Sequence, residues 1–238
     1  MLTDRHWALT QKIVEAVARR WHEPDHGIWE IRDTPRHYVH SKMMCWATVD
    51  RALSIAQRAG RDTPAGWHQL AGEIRADILE HGWNARIGSF SSAYGDDQLD
   101  ASLLHVALIG LLPVDDPRVR ATVAAVERRL RRGPVVYRYH FDDGLPGKEG
   151  GFLVCASWLI EAMVATRRID DAQELFAQYV DLVGPTGMLS EQHDPGAELS
   201  LGNVPQAYSH AGLINCAVAL SVHATGRTAT IPHSTIGR

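Results

Sequence analysis

The sequence predicts an all-α domain of about eight helices arranged as antiparallel hairpins, with long loops on one rim. Two observations support this prediction. Apolar residues recur at helical spacing through most of the chain, and the connections between these segments alternate in length. The long connections are 23–38, 82–98, 133–149 and 184–205. Such alternation is expected when one rim of a hairpin array carries the functional loops and the other only turns the chain.

The N-terminal half contains four of the predicted helices. Residues 4–22 place apolar residues at steps of four, which predicts a helix that buries one stripe. The members of this stripe are Leu9, Ile13, Val17 and Trp21. Residues 39–59 are apolar around the whole circumference and end at Gly60, so they predict a largely buried helix with a glycine C-cap. A third helix is predicted over 63–82 and a short fourth one over 99–111.

The C-terminal half contains the other four helices. Asp116 and Pro117 form a typical helix start, with Asp as N-cap and Pro in the first turn, and this helix runs to Gly133. Three more helices are predicted over 150–166, 170–183 and 206–225. Little sequence remains for strands, beyond short pieces near Phe90 and Tyr137–Tyr139.

The composition excludes several classes of partner. The chain has 238 residues, of which 45% are hydrophobic and 22% charged, and its net charge of −4 provides no basic footprint for nucleic acid. No apolar run approaches the roughly 20 residues needed to cross a membrane. The three cysteines, Cys45, Cys155 and Cys216, lie in apolar helical segments and are predicted to be buried free thiols. Since the N-terminus also lacks a signal-peptide pattern, we expect a cytoplasmic protein.

Two loop glutamates are candidates for acid and base chemistry. Glycoside hydrolysis by inversion needs one protonated carboxyl group and one ionised carboxylate. Glu30 lies between Ile28, Trp29 and Ile31, an apolar setting that favours the protonated form, whereas Glu191 has polar neighbours that favour a carboxylate. From the residues alone the alternative stays open that both are ordinary surface charges among 28 acidic residues.

The sequences of these loops resemble those of glycoside hydrolase family 15, the glucoamylase-like family. The resemblance is to its bacterial branch, which includes a trehalase group. The segments that carry the resemblance are GIWEIRDTPRHYVHSKMMCWATVDRAL, GWNARIGSFSSAYGDDQLDASLL, YRYHFDDGLPGKEGGFLVCASWLIEAM and GMLSEQHDPG. The resemblance implies an inverting hydrolase of α-glucosidic bonds that needs no cofactor or metal. It assigns the general acid to Glu30 and the general base to Glu191.

The same resemblance implies a sugar-binding site around these glutamates. Arg138 corresponds to the family residue that binds hydroxyl groups of the sugar, and Trp29 to the residue that flanks the ring. The adjoining Tyr139 and Gln192 complete the expected substrate site. The expected partner is an oligosaccharide or disaccharide with an α-glucosidic linkage. The structural alternative for Arg138 is an ion pair with one of two nearby acids. These are Asp142 and Asp143.

The family fold is a toroid of six helix hairpins, so eight helices predict an incomplete (α/α)6 toroid. We expect this partial catalytic domain over 1–225, followed by a polar C-terminal tail over 226–238. An incomplete toroid exposes inner faces, which predicts association with a second copy or with a separate N-terminal half. The alternative function is a non-catalytic truncated remnant, or the C-terminal subunit of a split glycoside hydrolase.

A metal site is a weaker interpretation of the first long loop. His37 and His40 have the i, i+3 spacing of some metal ligands, but no cysteine or carboxylate set accompanies them. Histidines in loops and at helix starts more often form ordinary hydrogen bonds. The sequence therefore predicts no metal centre.

Overall fold

The computed structural model of the protein describes residues 3–141 and 149–225. Within these ranges it contains seven α-helices and one 3-10 helix. The helices are α1 (Asp4–Arg20), α2 (Val39–Ala59), α3 (Trp67–His81), the 3-10 helix (Ala101–Ala107), α4 (Pro117–Leu130), α5 (Leu153–Ala165), α6 (Ile169–Asp181) and α7 (Ala207–Ala224). The eight predicted helices are thus confirmed, although the fourth is a 3-10 helix.

The helices form two layers. The inner layer runs α2, 3-10 helix, α5 and α7, and each of these contacts the next. In the outer layer α1 and α3 pack against α2, α4 packs against the 3-10 helix and α5, and α6 packs against α5 and α7. Helix α5 is apolar on nearly every side because it has neighbours on nearly every side. This is the predicted arrangement of an incomplete (α/α)6 toroid.

Two of the predicted helix ends are confirmed and two others are shifted. Helix α4 ends at Leu130 and not at Gly133, because the backbone is already extended at Arg131. The Asp116 carboxylate accepts the Arg118 N–H at 2.9 Å, as an N-cap does. Gly60 ends α2 with a left-handed φ of 61°. Helix α3, however, begins at Trp67 rather than at residue 63, and its N-cap Gly66 offers no side-chain hydrogen bond.

The predicted buried stripe of α1 is wrong in part. Leu9 is 57% exposed and Ile13 is 46% exposed, whereas Trp7 and Val14 are buried. The reason lies in the packing: the Trp7 ring contacts the Trp67 ring of α3 at a centroid distance of 5.6 Å. The helix therefore turns the Trp7 face inward, and the face with Leu9 and Ile13 has no covering element among the described residues.

Within the described residues, seven short strands lie in the long loops or directly beside them. They are β1 (Trp83–Asn84), β2 (Ser89–Phe90), β3 (Arg131–Arg132), β4 (Val135–Val136), β5 (Gly151–Phe152), β6 (Gln192–Asp194) and β7 (Leu199–Leu201). Strands β1 and β2 pair with each other, and β3 to β7 form one antiparallel sheet in chain order. The piece predicted near Phe90 is confirmed. The piece predicted near Tyr137–Tyr139 lies just before these residues, as β4, and Tyr139 itself makes a single bridge with Asp100.

The described parts of the four long loops meet on one rim, as predicted. The Tyr94 N–H of the second long loop donates to His37 O of the first at 3.0 Å. Arg138 O of the third long loop accepts the Ala101 N–H, just after the second, at 2.8 Å. The β5–β6 pairing then joins the third long loop to the fourth. The predicted tail over 226–238 lies outside the described residues, so the proposed domain boundary stays a prediction.

The three cysteines are unpaired, and Cys155 and Cys216 are buried as predicted, whereas Cys45 is only partly buried. Burial raises the pKa of each of these two thiols, which keeps them protonated. Among the described residues, none of the helices combines the length and apolar character needed to span a membrane.

Candidate active site

The loop that carries Glu30 is a tight turn closed by several hydrogen bonds. The Glu30 N–H donates to Gly27 O at 3.3 Å, and the Ile31 N–H donates to His26 O at 3.1 Å. The His26 ring atom Nδ1 also lies 2.9 Å from Ile31 O. Glu30 has a φ of 51°, a left-handed conformation that is uncommon for a residue with a side chain. The surrounding turn therefore fixes how Glu30 leaves the backbone.

Asp25 fastens this turn to the first turn of α2. Its Oδ1 atom accepts the Gly27 N–H at 2.5 Å and the Ser41 hydroxyl at 2.8 Å. The backbone of Asp25 also exchanges two hydrogen bonds with Arg36, at 2.9 and 2.8 Å. The two ends of the Glu30 loop are thus tied to each other and to α2. Sequence reasoning missed Asp25, because its partners lie up to 16 residues away.

Trp29 lies among aromatic rings from other segments. Its ring centroid is 6.2 Å from that of Tyr139, 6.4 Å from that of Phe152 and 6.0 Å from that of Trp158. The guanidinium carbon of Arg138 is 5.6 Å from the same ring, within the range of a cation–π contact. Three predicted binding residues therefore meet here. Phe152 and Trp158 were not predicted.

Arg138 is held by a stacked ring and by one carboxylate. Its guanidinium carbon lies 4.6 Å from the Phe152 ring centroid. Its Nε atom is 3.1 Å from Glu149 Oε2, and its Nη2 atom contacts the other oxygen of the same carboxylate. The alternative ion-pair partners, Asp142 and Asp143, lie outside the described residues. The predicted role of Arg138 in sugar binding stays a prediction.

The Glu191 carboxylate is half-buried and accepts hydrogen bonds from neutral groups. Gln206 Nε2 lies 3.2 Å from Oε1, and the Asn203 N–H and side-chain amide lie 3.4 and 3.5 Å from Oε2. The backbone is held as well, because Glu191 O accepts the Leu153 N–H at 3.1 Å. A Cβ atom at Gly202 would lie 2.5 Å from Oε2, so this position has no space for a larger residue.

The two candidate catalytic glutamates lie on neighbouring parts of the rim. Trp29 precedes Glu30 and contacts the Phe152 ring, and Phe152 pairs with Gln192 in the β5–β6 ladder, next to Glu191. The predicted gap of about 6.5–9.5 Å between the two carboxyl groups stays a prediction.

The apolar enclosure predicted around Glu30 is not present among the described residues. Ile31 is buried, but Ile28 is 41% exposed and Glu30 itself is exposed. The turn accounts for this difference, because it packs Trp29 and Ile31 into the rim and leaves Ile28 and Glu30 exposed to solvent. The acid role of Glu30 therefore depends on the resemblance, and it stays a prediction.

Tyr139 and Gln192 are largely occupied by contacts within the protein. Tyr139 is 9% exposed and stacks on Phe141 with 4.3 Å between ring centroids. Gln192 Oε1 accepts the Gly150 N–H at 3.0 Å. Both residues support the walls of the rim, and their predicted sugar contacts stay predictions.

A buried carboxyl group beside Trp29 was not predicted. Asp100 is 2% exposed, and its carboxylate accepts the Ser102 N–H at 2.7 Å as well as the Ser102 hydroxyl. Burial raises the pKa of Asp100 to about 6, although the hydrogen bonds from Ser102 and the nearby Trp29 indole oppose the rise. The indole N–H of Trp29 is buried and makes no hydrogen bond of good geometry among the described residues. The Trp29 indole N–H therefore lies near Asp100 without forming a regular hydrogen bond with it.

The histidines of this region pack against rings and do not converge on a metal. His40 lies 5.0 Å from His105, which lies 4.6 Å from Trp158, whereas the His37 ring stacks on Tyr94. Burial lowers the pKa of His40 to about 3, and the neighbouring His105 lowers it as well. No group of three or more His, Cys, Asp or Glu side chains within 3–141 and 149–225 is arranged to hold a metal ion.

A cleft of about 560 Å³ opens on the same rim, but neither candidate glutamate lines it. Tyr94 in this cleft has ring contacts with His37 at 5.8 Å and His81 at 5.5 Å, and its hydroxyl donates to Asp77 at 2.7 Å. Its aromatic surface is therefore already occupied. The cleft is not the predicted sugar site.

Comparison with known proteins places the chain in a family. The sequence matches the profile of glycosyl hydrolases family 15 over residues 1–218. The chain belongs to this family. The family 15 chain is 44% identical over 216 residues to a trehalase of Mycobacterium tuberculosis, a match that covers 89% of this chain and 32% of that protein. It is 35% identical over 227 residues to a trehalase of Thermoplasma volcanium, covering 94% and 36% respectively.

The family 15 chain thus spans about a third of the length of these relatives. Solved structures agree with its fold. A glycosidase variant in complex with glucose superposes with a TM-score of 0.76 at 23% identity, over 88% of this chain and 58% of that one. A bacterial glucoamylase complexed with acarbose gives a TM-score of 0.72 at 17% identity, over 92% and 39%. At these identities the likeness concerns the fold.

Proposed function

We propose that this family 15 chain carries the general acid and the general base of an inverting glycoside hydrolase acting on α-glucosidic bonds. One observation carries the proposal: the Glu30 loop and strand β6, which follows Glu191, adjoin through the Trp29–Phe152 contact and the Phe152–Gln192 pairing. This places two carboxyl groups, far apart in the chain, on one rim. Trp29 and Arg138 lie with them, an aromatic and cationic pair suited to a sugar ring and its hydroxyl groups.

The proposed reaction uses the two carboxyl groups on opposite faces of the sugar. Glu30 gives its proton to the glycosidic oxygen as the bond from that oxygen to the anomeric carbon breaks. Glu191 removes a proton from a water molecule, whose oxygen attacks the anomeric carbon from the other face. One water is consumed, and the anomeric configuration inverts. Arg138 presents several fixed N–H donors, which suit two neighbouring sugar hydroxyls.

The proposed substrate class is an α-linked glucose disaccharide or oligosaccharide. The relatives that match most of this chain are trehalases, so α,α-trehalose is the first substrate to test. Maltose and maltooligosaccharides are the alternatives, because a glucoamylase shares the fold.

The test compares Glu30→Gln and Glu191→Gln with Glu73→Gln, the same change at an exposed position on α3. Removing a general acid or base costs about 10²- to 10⁴-fold in rate. We expect each of the first two variants to lose glucose release to that extent, while Glu73→Gln keeps it. Full activity in either Glu30→Gln or Glu191→Gln would refute the assignment.

A second candidate function is that of a C-terminal subunit, or of a non-catalytic remnant, and the surface of α7 favours it. Tyr208, Ile214 and Val218 are 72%, 61% and 55% exposed, although α7 belongs to the inner layer of helices. Contiguous apolar surface of this kind marks a site where other protein packs. We propose that the active unit needs either a second copy or protein equivalent to the N-terminal two thirds of the trehalase relatives.

Three preparations separate these possibilities. The chain alone, at concentrations where light scattering reports monomer or dimer, tests activity without and with a second copy. The chain co-expressed with the N-terminal two thirds of the Mycobacterium tuberculosis trehalase tests a split enzyme. Activity that appears only after co-expression supports the subunit. Association of the two proteins, with no activity in any of the preparations, supports the remnant.

A further inference from the structure

We propose that Gln206 is a positioning residue for Glu191: its side-chain amide holds Oε1 and so fixes the orientation of the carboxylate that takes a proton from the attacking water. The proposal rests on the proposed role of Glu191 as general base. It adds a residue for which neither the sequence segments nor the family resemblance assigned a role.

The side-chain amide of Gln206 is engaged at both ends. Its Nε2 donates to Glu191 Oε1 at 3.2 Å, and its Oε1 accepts the Tyr208 N–H at 3.4 Å as the N-cap of α7. Its backbone N–H donates to Leu189 O at 2.9 Å. A flipped amide would place its oxygen against the carboxylate and its NH₂ group against an N–H donor, so the network permits one orientation. The start of α7 thereby presents a fixed donor to Glu191.

The second carboxylate oxygen has a looser environment. The Asn203 N–H and side-chain amide lie 3.4 and 3.5 Å from Oε2, at the long end of hydrogen-bond distances. Gly202 lies directly behind this oxygen, where no Cβ atom fits. The contact from the Gln206 amide is therefore shorter than the one from the Asn203 amide, and it restrains the Glu191 carboxylate most.

The chemistry of these donors suits a base. Within the described residues Glu191 has no ion pair, so its charge is not neutralised by a cation. Strand β6 carries His193 and Asp194, and helix α7 carries Tyr208, His210, Cys216 and His223. His210 is engaged elsewhere, because its Nε2 accepts the Leu189 N–H at 3.1 Å. An amide donor orients a carboxylate and leaves its negative charge in place. A carboxylate at position 206 would instead repel it.

The first arm of the test needs no catalysis. In the folded chain labelled with ¹⁵N, the side-chain amide signal of Gln206 is followed through a pH titration in the wild type and in Glu191→Gln. We expect the signal to move with pH in the wild type and to stay in place in the variant, while the exposed Gln173 amide stays in place in both. A Gln206 signal indifferent to Glu191→Gln would overturn the proposal.

The second arm uses the active preparation identified above and compares Gln206→Ala and Gln206→Glu with Gln173→Glu, an exposed position on α6. Misplacing a catalytic group by about 1 Å costs about 10²-fold in rate. We expect kcat to fall about 10- to 100-fold in both Gln206 variants with KM changed less than about 3-fold. In Gln206→Glu the acidic limb of the kcat profile should also move to higher pH. Gln173→Glu should match the wild type.

The two hypotheses fail in different ways. Wild-type activity in Glu191→Gln removes the base assignment itself, whatever Gln206 does. Loss of activity in Glu191→Gln together with unchanged kcat and pH profile in Gln206→Glu removes only the positioning role. A fall in stability with unchanged kinetics would make Gln206 a helix cap and nothing more, which also overturns the proposal.

Discussion

The ring of Phe152 lies 6.4 Å from the ring of Trp29, and this contact joins the two loops that carry the candidate catalytic glutamates. Phe152 belongs to β5, where it pairs with Gln192, the neighbour of Glu191. Trp29 is the neighbour of Glu30. The relative placement of the two glutamates therefore depends on an aromatic contact that neither of them makes.

Removing this ring should affect both stability and activity. We expect Phe152→Ala to lower the free energy of unfolding by about 2–4 kcal/mol, because a half-buried aromatic side chain leaves a cavity. Phe176→Ala on α6, also half-buried, should cost a similar amount. Urea unfolding measures the stability of both, and glucose release measures activity. Only Phe152→Ala should lose activity at temperatures where both variants are folded, and equal activity losses would contradict the bridging role.

The Glu30 turn should be sensitive to a methyl group at Gly27. This residue has a φ of 69°, and a Cβ atom there would lie 3.0 Å from the Tyr38 ring. Gly88 has a similar φ of 62°, but a Cβ atom there meets open space. We expect Gly88→Ala to cost about 1–2 kcal/mol from backbone strain alone. Gly27→Ala should cost about 1–3 kcal/mol more, from overpacking against Tyr38. Equal losses in urea unfolding would show that the Tyr38 contact is unimportant.

Glu161 should make stability fall as pH rises. Burial raises the pKa of this α5 carboxyl from 4.5 to about 7, and no described residue gives it a hydrogen bond or an ion pair. Because the folded state holds the proton more tightly than the unfolded state, this contribution to stability is complete below about pH 4.5 and is lost as the pH rises through about 7. Glu161→Gln cannot ionise. It should therefore gain about 1–3 kcal/mol relative to the wild type between about pH 4.5 and about pH 8.

Urea unfolding of both proteins at these two pH values measures this gain, with Glu73→Gln as the exposed control. A stability difference between wild type and Glu161→Gln that is the same at both pH values would show that the carboxyl group has a charged or polar partner in solution.

The exposed face of α7 should be required for association. We expect Ile214→Asp and Val218→Asp to abolish co-purification with the N-terminal two thirds of the trehalase relative, because a buried unpaired charge is costly. Val180→Asp on α6 is the control, since Val180 is 41% exposed on an outer helix. Circular dichroism confirms that each variant is folded. Unchanged co-purification in the α7 variants would place the contact elsewhere.

The helices could be predicted from the sequence because each is encoded locally. The Asp116 cap and the apolar spacing of α4 lie within one short segment, and both were confirmed. The stripe of α1 failed because spacing alone cannot tell which of two apolar faces packs; the Trp7–Trp67 contact decides this. The five-stranded sheet was missed because its strands have only two or three residues, too few for an alternating pattern.

The site shows the same division between local and distant information. Glu30 and Glu191 could be proposed because each lies in a segment that resembles the family. Asn203 and Gln206 could not be predicted as partners of Glu191, because they lie 12 and 15 residues beyond it and meet it only after β6 and β7 pair. Asp100 could not be predicted as a neighbour of Trp29, because the two residues come together only where the loops fold onto one rim.

The central claim is that Glu30 and Glu191 act on opposite faces of one glucose ring. Proton NMR of the first glucose released from α,α-trehalose by the active preparation tests it most directly. Attack by water from the face opposite the leaving oxygen gives one β-glucose and one α-glucose from each trehalose, so we expect equal initial amounts of the two anomers. Initial release of α-glucose alone would mean retention of configuration, and it would contradict the account.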